Sequence, residues 1–107
     1  MTANGEMKDS LRIKISNKIS ECLFNNLYNY RGRSLSKIKK EEVFERIKLS
    51  LERELKKLPI QFKIGECKFI HVDNYGEVSV EITARKHDSM WSIFSCSFAL
   101  TPISMEK

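Results

Sequence analysis

The stretch ELKKLPIQFKIGECKFI, residues 54–70, contains the point at which the chain changes its type of secondary structure. Before Pro59, apolar residues recur every third or fourth position, as in an amphipathic helix. After it, apolar residues recur every second position, at Ile60, Phe62 and Ile64, as in a half-buried β-strand. Proline lacks an N–H group and disfavours helical geometry in the preceding residue, so the helix is expected to end here. The sequence therefore predicts helices first and a sheet afterwards.

Two amphipathic helices are predicted before Pro59, over residues 10–29 and 37–58. The first has an apolar stripe formed by Leu11, Ile15, Ile19, Leu23 and Leu27. The second has a stripe formed by Val43, Phe44, Ile47, Leu51, Leu55 and Leu58. A stripe of this spacing lets a helix bury one face while its charged residues remain in solvent.

Three strands are predicted after Pro59, over residues 60–72, 78–86 and 90–101. Gly65 and Glu66 interrupt the alternation of the first strand, which predicts a β-bulge. The expected fold is α+β, with two N-terminal amphipathic helices packed on one face of an antiparallel sheet of three or more strands. We expect a single domain over residues 10–103, with an N-terminal tail at 1–9 and a C-terminal tail at 104–107.

Composition and motifs argue against several functional classes. The 107 residues contain no apolar segment of the roughly 20 residues that a membrane span requires. His71 and His87 are the only histidines, and no cysteine or acidic residues stand at metal-ligand spacing beside them to complete a site. The four glycines form no phosphate-binding loop. We therefore predict no catalytic residues, no metal, no cofactor and no enzymatic activity. Three widely spaced cysteines indicate an intracellular, reducing compartment, most simply the cytoplasm.

The last strand is unusual because the run from Ser89 to Met105 contains no charged residue. One of its faces carries Phe94, Cys96, Phe98 and Leu100, which are suited to a core under the helices. The opposite face carries Trp91, Ile93, Ser95, Ser97 and Ala99. Because strand edges are normally protected by charge, the neutral strand is expected in the centre of the sheet, between the two charged ones.

That arrangement leaves two surfaces available for binding. The uncharged outer face of the last strand is covered by a loop, a tail or the helices, or it is a protein interface, most simply of a twofold homodimer. The interface residues are then Trp91, Ile93, Ser95, Ser97 and Ala99. If the last strand is central, the strand over 78–86 has an open edge, at which Val78, Val80 and Ile82 are the expected peptide-binding residues.

Over residues 11–101 the chain resembles the Tctex-type dynein light chains. The resemblance lies in the order of elements, in ELKKLPIQFKIGECKFI and in SMWSIFSCSFAL, residues 89–100. It implies a non-enzymatic, homodimeric adaptor that binds extended segments of a dynein intermediate chain or cargo by strand addition. Between its first and last strands, this chain has only YGEVSVEITARKHD, residues 75–88, enough for one strand where the family has two. That shortening counts against the strand exchange through which the family dimerises.

Two alternative functions follow from other features. Residues 1–58 hold 14 basic and 8 acidic side chains, and the run RGRSLSKIKK, residues 31–40, contains no acid. A nucleic-acid-binding domain would contact phosphates through this run, whose basic residues are Arg31, Arg33, Lys37, Lys39 and Lys40. The same residues are also suited to a solvated loop or an acidic partner. The second alternative is a small microbial or phage protein that acts as a chaperone-like factor, inhibitor or immunity protein.

Overall fold

The computed structural model describes residues 8–31, 39–72 and 75–100 and confirms the predicted α+β fold. Helix α1 spans Asp9–Leu27 and is followed by a short 3-10 turn over Tyr28–Tyr30, and helix α2 spans Lys40–Leu55. The strands are β1 at Gln61–Val72, β2 at Tyr75–Arg85 and β3 at Ser92–Ala99. Both helices pack on one face of a three-stranded antiparallel sheet.

Most element boundaries lie within a few residues of the predicted ones. Helix α2 ends at Leu55 rather than 58, because the N–H of Leu58 bonds to the Leu55 carbonyl in a tighter turn before Pro59. Strand β2 begins at Tyr75, three residues earlier than predicted. Two predicted boundaries lie outside the described residues: the start of the second helix at 37 and the start of the C-terminal tail at 104. The predicted N-terminal tail, residues 1–9, overlaps α1 by one residue, Asp9.

The core lies between the helices and the inner face of the sheet. The predicted stripes supply it: Ile15, Ile19, Leu23 and Leu27 from α1, and Val43, Ile47, Leu51 and Leu55 from α2, are all buried. Strand β2 contributes Val78, Val80, Ile82 and Ala84, and the last strand and its end contribute Phe94 and Leu100. Burial of these side chains contributes on the order of 1.5–3 kcal/mol for each large one.

The predicted bulge is present in β1. The pairing of β1 with β2 shifts between Ile64 and Cys67, so that two residues of β1, Gly65 and Glu66, lie opposite one residue of β2, Glu81. A Cβ atom on Gly65 would lie only 2.8 Å from the carbonyl oxygen of Glu81. Glycine is needed here because the two backbones approach too closely for a larger residue.

The predicted order of strands is wrong. The order in the sheet is β1-β2-β3, so β2 lies in the centre and β3 lies at an edge. Short connections make strands that are consecutive in sequence pair with each other, which outweighs the preference for charged edges. The charges of Glu81 and Arg85 on β2 alternate with buried residues, so they mark the exposed face of a central strand and not an open edge.

Candidate protein-binding site

Strand β3 is an unprotected edge of the sheet. Within the described part of the chain only β2 pairs with it, and its residues Ser92–Ala99 include no charged side chain. The other edge, β1, carries Lys63, Glu66 and Lys68 and contains the bulge, two devices that discourage pairing with another strand. The two edges therefore differ, and β3 is the one that can accept an added strand.

The backbone of β3 points alternately toward β2 and away from the sheet. The N–H of Leu100 donates to the carbonyl oxygen of Gly76 at 2.8 Å, and the register between the strands continues without a bulge. In an antiparallel ladder, hydrogen-bonded and non-hydrogen-bonded pairs alternate. Counting back from Leu100, the N–H and C=O groups directed away from the sheet belong to Ile93, Ser95, Ser97 and Ala99.

Helix α1 runs beside this edge in the same direction as β3. Near its start, Arg12 donates to the hydroxyl of Ser92 at 3.0 Å. Further along, the Oγ of Ser20 lies 3.9 Å from the Sγ of Cys96. Near its end, the rings of Phe24 and Phe98 meet edge to face, with their centroids 5.9 Å apart. The flank of the helix therefore follows the edge of the strand along its length, and the space between them is an open groove near the start of α1.

The helix wall of this groove is mixed: Ile13, Phe24 and Tyr28 are exposed apolar side chains, while Asp9, Arg12, Ser16 and Asn17 line the groove beside Ile13. Ile13, Phe24 and Tyr28 are 60, 48 and 54 % exposed, and the rings of Phe24 and Tyr28 stack with centroids 5.1 Å apart. At the other end, Ile13 lines an open groove of about 560 Å³ together with Ile93 of β3. An unpaired backbone edge with exposed apolar side chains beside it has the two components by which extended peptides are recognised.

Sequence reasoning missed this helix wall. Ile13, Phe24 and Tyr28 lie outside the buried stripe of α1, so periodicity assigns them only to the outer surface of the helix. The sequence does contain one indication of a binding surface: three large apolar residues occupy positions outside the buried stripe, where polar residues are usual. These residues can be assigned to a binding groove only once the flank of α1 is known to lie next to an open strand edge.

The predicted interface residues lie on the outer face, as the alternation indicated. Ile93 is 63 % exposed, and Ser95, Ser97 and Ala99 are also exposed. Trp91 precedes β3 and is partly covered by cations: its ring centroid lies 4.8 Å from the Nζ of Lys63 and 4.6 Å from the guanidinium carbon of Arg85. These cation–π contacts give Trp91 a partial cover within the same chain.

The predicted peptide-binding edge needs correction. Val78, Val80 and Ile82 are buried under the helices, and their strand is paired on both sides. They therefore belong to the core. The open edge belongs instead to β3, and the residues whose backbone groups point away from the sheet, Ile93, Ser95, Ser97 and Ala99, are four of the five predicted interface residues.

The predicted basic run is only partly described. Arg33 and Lys37 lie outside the described residues. Arg31 has its guanidinium carbon 6.0 Å from the ring centroid of Phe98, at the far end of the groove. Lys39 and Lys40 are exposed at the start of α2. The described members thus lie near the end of α1 and the start of α2, and not on the exposed sheet face where stacking residues are usually presented.

All three cysteines are free thiols, and two of them, Cys22 and Cys67, have a raised pKa. Burial raises the pKa of Cys22, and Glu54 adds to the shift. Burial also raises the pKa of Cys67. A thiol with a raised pKa is a poor nucleophile at neutral pH. In residues 8–31, 39–72 and 75–100, no group of three metal-ligating side chains is present and no helix is long and apolar enough to cross a membrane.

Comparison with known proteins adds no relative to this description. No protein-family model, no curated protein and no solved structure matches the chain. The resemblance to Tctex-type light chains remains a prediction from the sequence, and the candidate function rests on the geometry of the β3 edge.

Proposed function

We propose that the chain is a non-enzymatic protein-interaction adaptor that binds an extended peptide segment by strand addition at the free edge of β3. The observation that carries the proposal is the absence of charge along Ser92–Ala99 at a sheet edge that no other described strand pairs with. Soluble proteins usually protect such edges, because an unprotected edge pairs readily with other chains. An edge left unprotected is therefore consistent with a binding function.

The groove also indicates what the peptide must look like. An added strand directs alternate side chains to opposite faces of the sheet. On the helix side these side chains meet Ile13, Phe24 and Tyr28, so apolar residues are expected at every second position of the peptide. On the outer side they lie next to Ile93 and two serines, where smaller or polar residues suffice. A dynein intermediate-chain or cargo segment of this pattern is the partner class that the sequence resemblance implies.

Selection from a displayed library of random peptides tests the proposal without a known partner. Wild-type protein should select peptides with alternating apolar residues, and counter-selection with Ser97→Pro should remove them, because proline deletes an outward-directed N–H. Ser79→Lys is the matched control, since Ser79 pairs with Ser97 but lies on the central strand. Selected peptides that bind Ser97→Pro and wild type equally would contradict strand addition at this edge.

The homodimer expected from the sequence is proposed at the same edge. A twofold pairing centred on Cys96 places Ser95 opposite Ser97 of the second copy and Ile93 opposite Ala99. Because β3 has no charged residue, this pairing brings no like charges together. At the level of Cys96, helix α1 presents the small side chain of Ser20, which allows the two helices to approach.

Cross-linking tests this dimer directly. In the centred pairing the two Cys96 residues form a directly opposed, non-hydrogen-bonded pair, with Cα atoms about 4.5 Å apart, within disulfide range. A variant that retains only Cys96 should therefore form a covalent dimer under mild oxidation, and a selected peptide should prevent it. A protein that sediments as a monomer at all concentrations would contradict the dimer. An intracellular, reducing location accords with the proposal, because all three cysteines are free thiols.

A further inference from the structure

A cavity of about 320 Å³, open to solvent and lined mostly by exposed side chains, lies at the end of the domain where α1 begins, separate from the groove along β3. Three segments form its walls: the first residues of α1, Pro59 at the entry to β1, and the turn between β2 and β3. The residues that line it are Lys8, Ser10, Leu11, Lys14, Pro59, Lys86, His87 and Ser89. Its volume is at the lower end of the range for small-molecule sites.

The charged residues around the cavity are all basic. Lys8, Lys14 and Lys86 line it together with His87, and no acidic side chain does. None of these three lysines has an ion pair with a described residue, whereas Lys18 and Lys57 both pair with Glu54. Two acidic residues are adjacent in sequence to residues of the cavity, since Asp9 follows Lys8 and Asp88 follows His87. Asp9 lines the groove toward β3, and Asp88 is exposed. The positive potential in the cavity is therefore not neutralised by the residues that enclose it.

Two hydroxyl groups add hydrogen-bond donors. The backbone N–H of Lys86 donates to the Oγ of Ser89 at 3.0 Å, and the N–H of Ser89 donates back to the carbonyl of Lys86 at 3.0 Å. Because the Ser89 oxygen accepts in this reciprocal pair, its own proton remains available as a donor. The hydroxyl of Ser10 lies on the opposite wall.

The turn that carries His87 holds it in an unfavourable backbone conformation. His87 has φ of 56°, the only positive value among the described non-glycine residues. Glycine adopts this conformation without steric cost, so turn formation alone favours glycine at this position. Residues with strained backbone conformations cluster at active sites and ligand-binding positions. Here the strained residue places an imidazole in the wall of a basic cavity.

We propose that this cavity binds the phosphate group of a small soluble molecule. A phosphate presents several acceptor oxygens and close to two negative charges, which match three ammonium groups, an imidazole and two hydroxyls. Leu11 and Pro59 supply an apolar wall for the rest of the molecule. The site lies outside the strand-addition groove and does not depend on that proposed function.

Titration with inorganic pyrophosphate, followed by ¹H–¹⁵N NMR at constant ionic strength, tests the proposal. The amide signals of Ser10, Leu11, Lys86 and Ser89 should shift together and saturate. Lys14→Glu and Lys86→Glu should each weaken binding at least tenfold. Lys48→Glu makes the same charge change on an exposed residue of α2 that does not line the cavity, and it should weaken binding less than twofold.

His87→Gly provides a readout that is independent of charge reversal. It should raise the melting temperature, because strain at φ of 56° is relieved, and yet weaken pyrophosphate binding. Shifts that never saturate, or equal weakening by Lys48→Glu and Lys86→Glu, would overturn the proposal in favour of diffuse attraction. Tighter binding to vesicles that contain phosphoinositides than to pyrophosphate would overturn the assignment to a small soluble molecule.

Discussion

The backbone N–H of Leu100 donates to the carbonyl oxygen of Gly76 at 2.8 Å, and this bond determines which side of β3 faces the sheet. Because the pairs alternate along an antiparallel ladder, Phe94, Cys96 and Phe98 direct their N–H and C=O groups toward β2. Ile93, Ser95, Ser97 and Ala99 direct theirs away. The proposed function depends on this second set being unpaired and uncharged.

Proline substitutions at adjacent positions should distinguish the two sets. Ser97→Pro removes an N–H that makes no bond within the sheet, whereas Cys96→Pro removes one that bonds to β2. The free energy of unfolding of Cys96→Pro should therefore be lower than that of Ser97→Pro by about 1–3 kcal/mol, the cost of leaving a buried acceptor on β2 unsatisfied. Chemical denaturation measures the difference, with Cys96→Ala as the control for loss of the thiol. Equal stabilities would show that the alternation has been assigned wrongly.

Charge on the helix wall should abolish peptide binding without unfolding the protein. Ile13→Asp and Phe24→Asp each place a carboxylate beside the groove on a side chain that is about half exposed. We expect at least a tenfold loss of affinity for a selected peptide, because an apolar contact is replaced by a charge that must be desolvated. Leu49→Asp is the matched control, since Leu49 is similarly exposed on α2. A loss caused equally by Leu49→Asp would exclude the α1 flank as the specific wall.

The bulge in β1 should not tolerate a side chain at Gly65. Gly65→Ala places a Cβ atom 2.8 Å from the carbonyl oxygen of Glu81, so the strands must separate locally. We expect the free energy of unfolding to fall by about 1–3 kcal/mol, as for other overpacked positions. Thermal and chemical denaturation of Gly65→Ala, compared with Glu66→Ala at the exposed neighbouring position, checks this. A change no larger than that of the control would mean that the backbone relaxes freely.

Stability should decrease at alkaline pH because of two thiols, the buried Cys22 and the partly buried Cys67. Burial raises the pKa of Cys22 above its ordinary value of 9.0, and the same holds for Cys67. The folded state therefore holds these protons more tightly than the unfolded state. Their contribution is fully present below about pH 9 and is lost as the pH rises through the folded-state pKa values. The free energy of unfolding should decline less steeply above pH 9 in Cys22→Ala/Cys67→Ala. An identical slope would contradict this cause.

The fold was predictable because its main signals are local. The change of period at Pro59 separates helices from strands, and Gly65 marks the bulge without any tertiary information. The inner and outer faces of β3 were also correctly separated, because side chains alternate with a period of two wherever a strand lies in the sheet.

The order of strands and the walls of the site were not predictable in the same way. Alternating charge on β2 reports that one face is exposed, and it contains no information on whether the backbone is paired on one side or both. The neutral residues of β3 predict a central strand, because an unprotected edge is usually avoided. The exposed apolar residues Ile13 and Phe24 carry no periodic signal, and only the packing of α1 beside β3 gives them a role.

Amide hydrogen exchange along β3, measured residue by residue with and without a selected peptide, tests the central claim most directly. In the free monomer, at concentrations too low for the proposed β3 dimer to form, the N–H groups of Ile93, Ser95, Ser97 and Ala99 should exchange rapidly, while those of Phe94, Cys96 and Phe98 are protected by β2. Bound peptide should slow exchange at the first set by at least tenfold and leave β1 unchanged. Uniform protection of β3 in the free monomer, or new protection confined to β1, would contradict strand addition at this edge.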